Sequence, residues 1–241
     1  MDLLALLSVG LFVGMGHALE ADHLAAVSTM LNNESSRRAA IMRGMFWGLG
    51  HTLALFLICS AVVLLGLSIS TQMESALELA VGLMIVTLGV HLLWSMKKSG
   101  AHVHRHQHGD AHHIHVHHHI GEQGQDHEDH HKLSNAARRT NTKALVIGLM
   151  HGAAGSAGLL ALIIASVQGI GGALLYFAVF GLGSIAGMAL ISAVASYPLS
   201  LLQKGSRWVR LATGGAIGAG AIYIGGSLAM TAFLSLPNTG F

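Results

Sequence analysis

The chain has 241 residues, 52% of them hydrophobic and only 10% charged, with 31 glycines and two prolines. Soluble domains carry about 25% charged residues, so the composition argues against a soluble domain and for a membrane protein. The formal net charge is +2 with histidine neutral and no nucleic-acid-binding motif is present, so nucleic acid is not an expected partner. Cys59 is the single cysteine, which leaves no intrachain disulfide.

A helix crosses the hydrocarbon core with about 20 mostly apolar residues. Six stretches qualify: 3–31, 44–66, 74–96, 143–167, 171–198 and 208–234. The first opens MDLLALLSVGLFVG and carries an Asp, but no Lys or Arg, ahead of its apolar core. A secretory signal has the opposite pattern, so this stretch is expected to remain as the first membrane helix. Between the third and fourth stretches, AHVHRHQHGDAHHIHVHHHIGEQGQDHEDHH holds thirteen of the eighteen histidines. Such a segment cannot bury a core and is expected to be disordered without metal. The domains expected are a three-helix unit (1–96), a His-rich loop (97–142) and a second three-helix unit (143–241).

Lys and Arg favour cytoplasmic loops. All thirteen basic residues fall between helices one and two, three and four, or five and six, while the opposite loops have none. Both termini are therefore expected outside and the His-rich loop in the cytoplasm. Trp47, Trp94 and Trp208 come at the cytoplasmic ends of their stretches, where amphipathic rings settle.

The two halves resemble each other. GMGHALEADHL (14–24) aligns on GLMHGAAGSAG (148–158), placing His17 over His151. GLGHTLALFLICS (48–60) aligns on GLGSIAGMALIS (181–192), and LAVGLMI (79–85) loosely on LATGGAI (211–217). Three helices per half is an odd number, so the second half must be inverted. The fold expected is an all-α polytopic membrane protein with a 3+3 inverted repeat, an architecture of secondary transporters.

Chemistry enters with His17, Glu20, Asp22 and His23 inside the first stretch. A charged group at mid-membrane costs about 2.5–3.5 kcal/mol on insertion scales and is a functional hypothesis by default. Two imidazoles and a carboxylate supply the N and O donors that divalent transition metals take. On a regular helix His17 and His23 lie about 120° apart, which is awkward for a single ion. Gly14 and Gly16 permit unwinding; otherwise the residues form two stations, or Asp22 and His23 hold other ligands in place. A hairpin centred near Arg37 puts His51 at the depth of His23, and His151 enters its helix to a comparable depth. His17, Asp22, His23, His51 and His151 are thus the candidate metal ligands, with Glu20 as a ligand or as an acceptor orienting His17. His91, near Trp94, reads as an interface residue, Glu74 and Glu78 as a solvated helix end, and Met15 and Met150 as packing or lipid-facing. The loop, with its thirteen histidines and interspersed acids, reads as a buffer for nickel, cobalt, zinc or copper.

HALEADH matches a His, four residues, then Asp-His, and Leu49-Gly50-His51-Thr52 matches Leu-Gly-His followed by a small hydroxyl residue. Both elements resemble the nickel/cobalt transporter family. Its larger members have eight helices and a later acidic motif, where this chain has HGAAGS at 151–156. The chain looks most like the short six-helix urease-associated nickel permeases, and its loop is also similar to that of nickel/cobalt exporters. The resemblance implies a secondary permease taking Ni²⁺, or Co²⁺, into the cytoplasm as substrate through His17, Asp22, His23 and His51, with no catalytic cofactor; the depth reading adds His151. The basic-side bias and the absence of a transit peptide favour a prokaryotic inner membrane, and a cytoplasmic metallochaperone is an expected partner. Because bound His is neutral, protons compete with the ion. No GxxxxGK[ST] motif is present, so direct use of ATP is not expected. Three alternatives remain: efflux through the same site, an intramembrane hydrolase using His151 and Ser156, and a passive buffer built on the loop. The HExxH pattern is absent, which weighs against the hydrolase.

Overall fold

The computed structural model describes residues 3–32, 34, 36–98, 104–108, 111–115, 129–155 and 169–236. Helices α1 (Leu3–His17) and α2 (Ala21–Leu31) share the first apolar stretch. They are followed by α3 (Arg37–Leu65), α4 (Thr71–Lys98), α5 (Asp129–Ala154), α6 (Ile170–Gln203) and α7 (Arg207–Ser235). Ser36 caps α3 by accepting from the Ala39 N–H, and Gly66 closes it in the left-handed conformation, φ 62°, as a side chain with Cβ rarely does.

The elements depart from the sequence expectation in three places. The first stretch is not one helix: it breaks after His17 and resumes at Ala21, bent by 56°. The segment 97–142 is not structureless throughout. Strand β1 (His104–His108) pairs antiparallel with β2 (Ala111–His115), and α5 is already helical from Asp129. No Gly or Pro interrupts the chain between Asp129 and Ile147, and Ala136, Ala137, Arg138 and Arg139 are good helix formers. The loop histidines read above as a metal buffer lie, as side chains, outside the described residues. Thirdly, α3, α4, α6 and α7 are long and apolar enough to span, and the bent pair α1–α2 counts as a fifth. Residues 156–168, which complete the expected fourth span and include Ser156, are outside the described residues.

Four helix pairs build the bundle: α1 with α6, α3 with α5, α3 with α6, and α4 with α7. Glycine sets how closely they approach. A Cβ at Gly14 would overlap the Phe180 carbonyl and crowd the Ser184 N, and one at Gly183 would overlap the Leu11 carbonyl. On the other side, Gly148 meets the Trp47 carbonyl and the His51 N, and Gly50 meets the Leu145 carbonyl and the Leu149 N. Residue order at these contacts makes α1/α6 and α3/α5 parallel pairs. A Cβ at Gly82 would lie 2.6 Å from the Ala229 N, and one at Gly89 2.8 Å from the Gly218 carbonyl, so α4 and α7 run antiparallel.

Large apolar side chains such as Leu182, Val194, Tyr223 and Phe233 are exposed on the outside of the bundle, as a lipid-facing surface requires. Arg37, Arg38, Lys97, Arg138, Arg139, Lys204, Arg207 and Arg210 collect at one end, where Met96 and Asn32 meet Gly214. Trp94 and Trp208 are exposed near that end, whereas Trp47, expected at the interface, is 1% exposed: it turns inward because Gly148 lets α5 lie directly on its backbone. Overpacking a tight contact costs about 1–3 kcal/mol, so Gly148→Ala should lower the apparent Tm of the detergent-purified protein. Gly215→Ala, where a Cβ meets nothing within 4 Å, should leave it unchanged or slightly raised; thermal-shift size-exclusion reads both.

Candidate metal site

The break in the first stretch positions the cluster. Helix α1 ends at His17, Leu19 N–H and Glu20 N–H close the turn on the Gly16 and His17 carbonyls at 2.9 and 3.2 Å, and α2 restarts at Ala21. Glu20 is the N-cap of α2 in an extended conformation and makes no capping bond. Its carboxylate instead turns back to His17. The 56° bend removes the angular conflict between His17 and His23 that a straight helix imposes, and their rings meet at 4.6 Å, edge to face.

Three further helices close on this point. His51 of α3 brings Nε2 to 3.1 Å from His17 Nε2, and its ring lies 5.2 Å from that of His23. His151, near the end of α5, lies 4.2 Å from His23 by ring centroids. Trp47, one turn before His51, packs against His23 and His151 at 5.5 and 5.9 Å. From α6, Phe180 packs on His17 at 5.6 Å. Sequence reasoning missed Phe180 and read Trp47 only as an interfacial ring; the alignment of 48–60 on 181–192, which places 47 over 180, was the available signal.

Carboxylates fix where the protons sit, because an ionised carboxylate only accepts. His17 Nδ1–H donates to Glu20 Oε1 at 2.7 Å. His23 donates to Asp22 Oδ1 twice, from its backbone N–H at 2.8 Å and from Nδ1–H at 2.9 Å. His151 Nε2–H donates to Asp22 Oδ2 at 2.9 Å. Asp22 thus ties α2 to α5. The nitrogens these bonds leave with lone pairs, His17 Nε2, His23 Nε2 and His151 Nδ1, are the ones a metal ion needs.

Burial makes the arrangement costly on its own terms. His23, His51 and His151 are 1%, 0% and 2% exposed, and His23 Nε2, His51 Nδ1 and His151 Nδ1 have no hydrogen-bond partner among the described residues. Each unsatisfied buried group costs about 1–3 kcal/mol, so three in one place call for a reason. Two sets of donors meet the spacing for a cation: His17, His23 and His51, and Asp22, His23 and His151, the ligand atoms of each within 4.8 Å of one another. They share His23. Nitrogens bound to one divalent ion at about 2.1 Å stand about 3.0–3.4 Å apart, and the His17–His51 pair already has that separation. Glu20 belongs to neither set and is half-exposed beside His17. His91 and Glu74 stand apart from the cluster, and Met150 is exposed as expected.

Residues 3–207 match the family described as NicO, high-affinity nickel-transport protein. The urease accessory protein UreH of Bacillus sp. (strain TB-90) is 32% identical over 203 residues, which cover 84% of this chain and 81% of that protein. No solved structure matches the chain.

Removing the partner that orients a metal-binding His typically weakens affinity 10- to 100-fold. Asp22→Asn, which keeps the size but turns a donor toward one of its two imidazoles, should weaken Ni²⁺ binding about that much in isothermal titration. Glu20→Gln, at a half-exposed position, should cost less.

Proposed function

The chain belongs to the NicO family of high-affinity nickel-transport proteins, and from that premise we propose that it is a secondary permease that takes up Ni²⁺, and Co²⁺ by the same donors, through the His/Asp cluster. The observation that carries this reading is the pair of donor sets sharing His23 at a helix break. An ion arriving from the end opposite the basic residues meets His17, His23 and His51 first. It takes the place of the His51–His17 hydrogen bond: the proton on His51 Nε2 shifts to the unpartnered His51 Nδ1, and the Nε2 lone pairs of both rings become its ligands. Exchange at His23 then passes it toward Asp22 and His151, and Asp22 brings the negative charge that a divalent ion needs in a low-dielectric setting. The carbonyl end of α1 points at the same place and favours a cation. Glu20 acts by holding His17 in its ligating tautomer, not as a ligand.

The inverted repeat gains support from the packing. Gly14 against Phe180 and Ser184 repeats, 134 or 133 residues on, as Gly148 against Trp47 and His51; Gly183 against Leu11 repeats as Gly50 against Leu145. The two parallel pairs, α1/α6 and α3/α5, are then one interface occurring twice around a pseudo-two-fold axis, the arrangement in which one half can rock against the other. On this reading α5 and residues 156–168 make the sixth crossing. The positive-inside rule puts the basic end and the His-rich segment in the cytoplasm of a prokaryotic cell, both termini outside. The segment there receives the ion and hands it to a metallochaperone.

Two measurements test this. With Trp94→Phe and Trp208→Phe, Ni²⁺ should quench the remaining Trp47 fluorescence, and His23→Ala should abolish the quench. In cells with matched expression, radiolabelled nickel should accumulate above the vector control. His17→Ala, Asp22→Ala and His23→Ala should each cut that accumulation at least about tenfold, about 1.4 kcal/mol in transport terms, while deletion of 101–131 keeps part of it. Accumulation below the control reverses the direction to export, and full transport by the point variants removes the cluster from the pathway.

A further inference from the structure

A second polar constellation lies away from the histidine cluster. Between α2, α3, α4 and α5 is a cavity of about 260 Å³ whose polar lining is Thr29, Arg43, His91, Ser95, Thr140 and Lys143. Its apolar wall comes from Leu88, Leu92 and Ile147. His91 and Lys143 are both exposed, so the mouth lies between the flanks of α4 and α5. Arg43 is anchored, donating to the Met30 carbonyl at 3.0 Å and pairing with Glu34. No carboxylate pairs with Lys143 among the described residues. With Arg43 neutralised by Glu34, Lys143 leaves the cavity a net positive lining and no unpaired carboxylate among the described residues, so it is no resting place for a divalent metal.

Depth indicates what it does suit. Lys143 is eight residues from His151 and Arg43 eight from His51, about 12 Å along each helix. The histidine cluster sits near the middle of the span, and half of the hydrocarbon core is about 15 Å. The backbone of both cations therefore lies about 3 Å inside the hydrocarbon boundary, from where a Lys side chain reaches the phosphates of one leaflet, and Trp94, exposed one turn beyond His91, lies at the level interfacial aromatics prefer. Leu88 and Ile147 are one turn deeper than His91 and Lys143, so the cavity grades from charged to apolar toward the bilayer centre. Basic pockets between membrane helices bind anionic headgroups. At this volume, below the roughly 300–1,000 Å³ of sites for drug-sized ligands, it admits a headgroup and leaves the acyl chains outside.

We propose that this cavity is a binding site for the phosphate-bearing headgroup of an anionic glycerophospholipid, with the phosphate on Lys143 at the mouth and an acyl chain leaving along Leu88 and Ile147. The phosphate chemistry is shared with free inorganic phosphate; the graded wall and the mouth between α4 and α5 select the lipid. The site is independent of the metal reading, since it uses none of the cluster's residues.

Native mass spectrometry of the purified full chain tests it with phosphatidylglycerol, phosphatidylcholine and inorganic phosphate as probes. Phosphatidylglycerol should be retained in preference to phosphatidylcholine. Lys143→Gln should weaken that retention about fivefold, the worth of one basic residue near an anionic surface, and Lys143→Arg should preserve it. Lys97→Gln, at the same end but outside the cavity, should leave it unchanged. Unaltered Ni²⁺ binding in Lys143→Gln certifies the fold. Equal retention of the two lipids overturns the proposal, as does an equal effect of Lys97→Gln, which would mean diffuse charge. Saturation by inorganic phosphate with no lipid preference overturns the lipid assignment in favour of a soluble anion.

Discussion

One carboxylate holds the centre of this protein together. Asp22 accepts three hydrogen bonds, two from His23 and one from His151, and so links a half-helix, α2, to a helix from the other half of the chain. In a medium where an unsatisfied polar group costs several kcal/mol, a lone Asp in an apolar stretch would be hard to keep. Its two imidazole partners remove that cost and in return are held in one tautomer each. The consequence is directional: the proton on each ring faces Asp22 and the lone pair faces away, toward the remaining histidines. The same logic applies at the edge of the cluster, where Glu20 forgoes capping α2 to fix His17. The donor sets are thus a by-product of satisfying carboxylates at depth.

That geometry is available only because the helices come very close. Hydrophobic burial gives little drive for helix association inside lipid, so backbone contact through small residues takes over. Gly148 lets α5 lie on the Trp47–His51 stretch of α3, which sets the height of His151 relative to His51. Gly14 and Gly183 do the same between α1 and α6, and that interface fixes where α1 ends. Positions of three of the four histidines, His17, His51 and His151, therefore depend on glycines one to three residues away. Trp47 and Phe180 back the cluster from α3 and α6, one behind His23 and His151, the other behind His17. On the proposed repeat, Ser184 stands where the first half has His51, so the two faces would be alike in backbone and unlike in chemistry.

The bundle separates its charges by depth. Glu20, Asp22 and four imidazoles gather near the middle, and cations collect at one end, with Arg43 tied to Glu34 and the Met30 carbonyl at the turn between α2 and α3. The gap between these levels, about two helical turns, keeps positive side chains from competing with a metal ion for the same carboxylate.

Much of this was legible in the amino-acid sequence. Apolar stretches about 20 residues long force helices, basic residues between them mark one end, and ionisable residues placed at equal distances from a turn must share a depth. That reasoning alone assembled His17, Asp22, His23, His51 and His151, and the family assignment followed from the same motifs. What sequence could not fix is direction and contact. A continuous apolar run from Leu3 to Leu31 reads as a helix that Gly14 and Gly16 could unwind, and the break falls instead at residues 18–20, closed by the Leu19 and Glu20 N–H groups and the Glu20–His17 pair with no local breaker such as proline. Glu20 as ligand or orienting partner depended on a bend of 56°, and Trp47 looked like an interfacial ring until Gly148 brought α5 against its backbone. Hydropathy and spacing are properties of one segment and can be read from it. Which nitrogen keeps a free lone pair is a property of five segments packed together, and only the tertiary structure decides it.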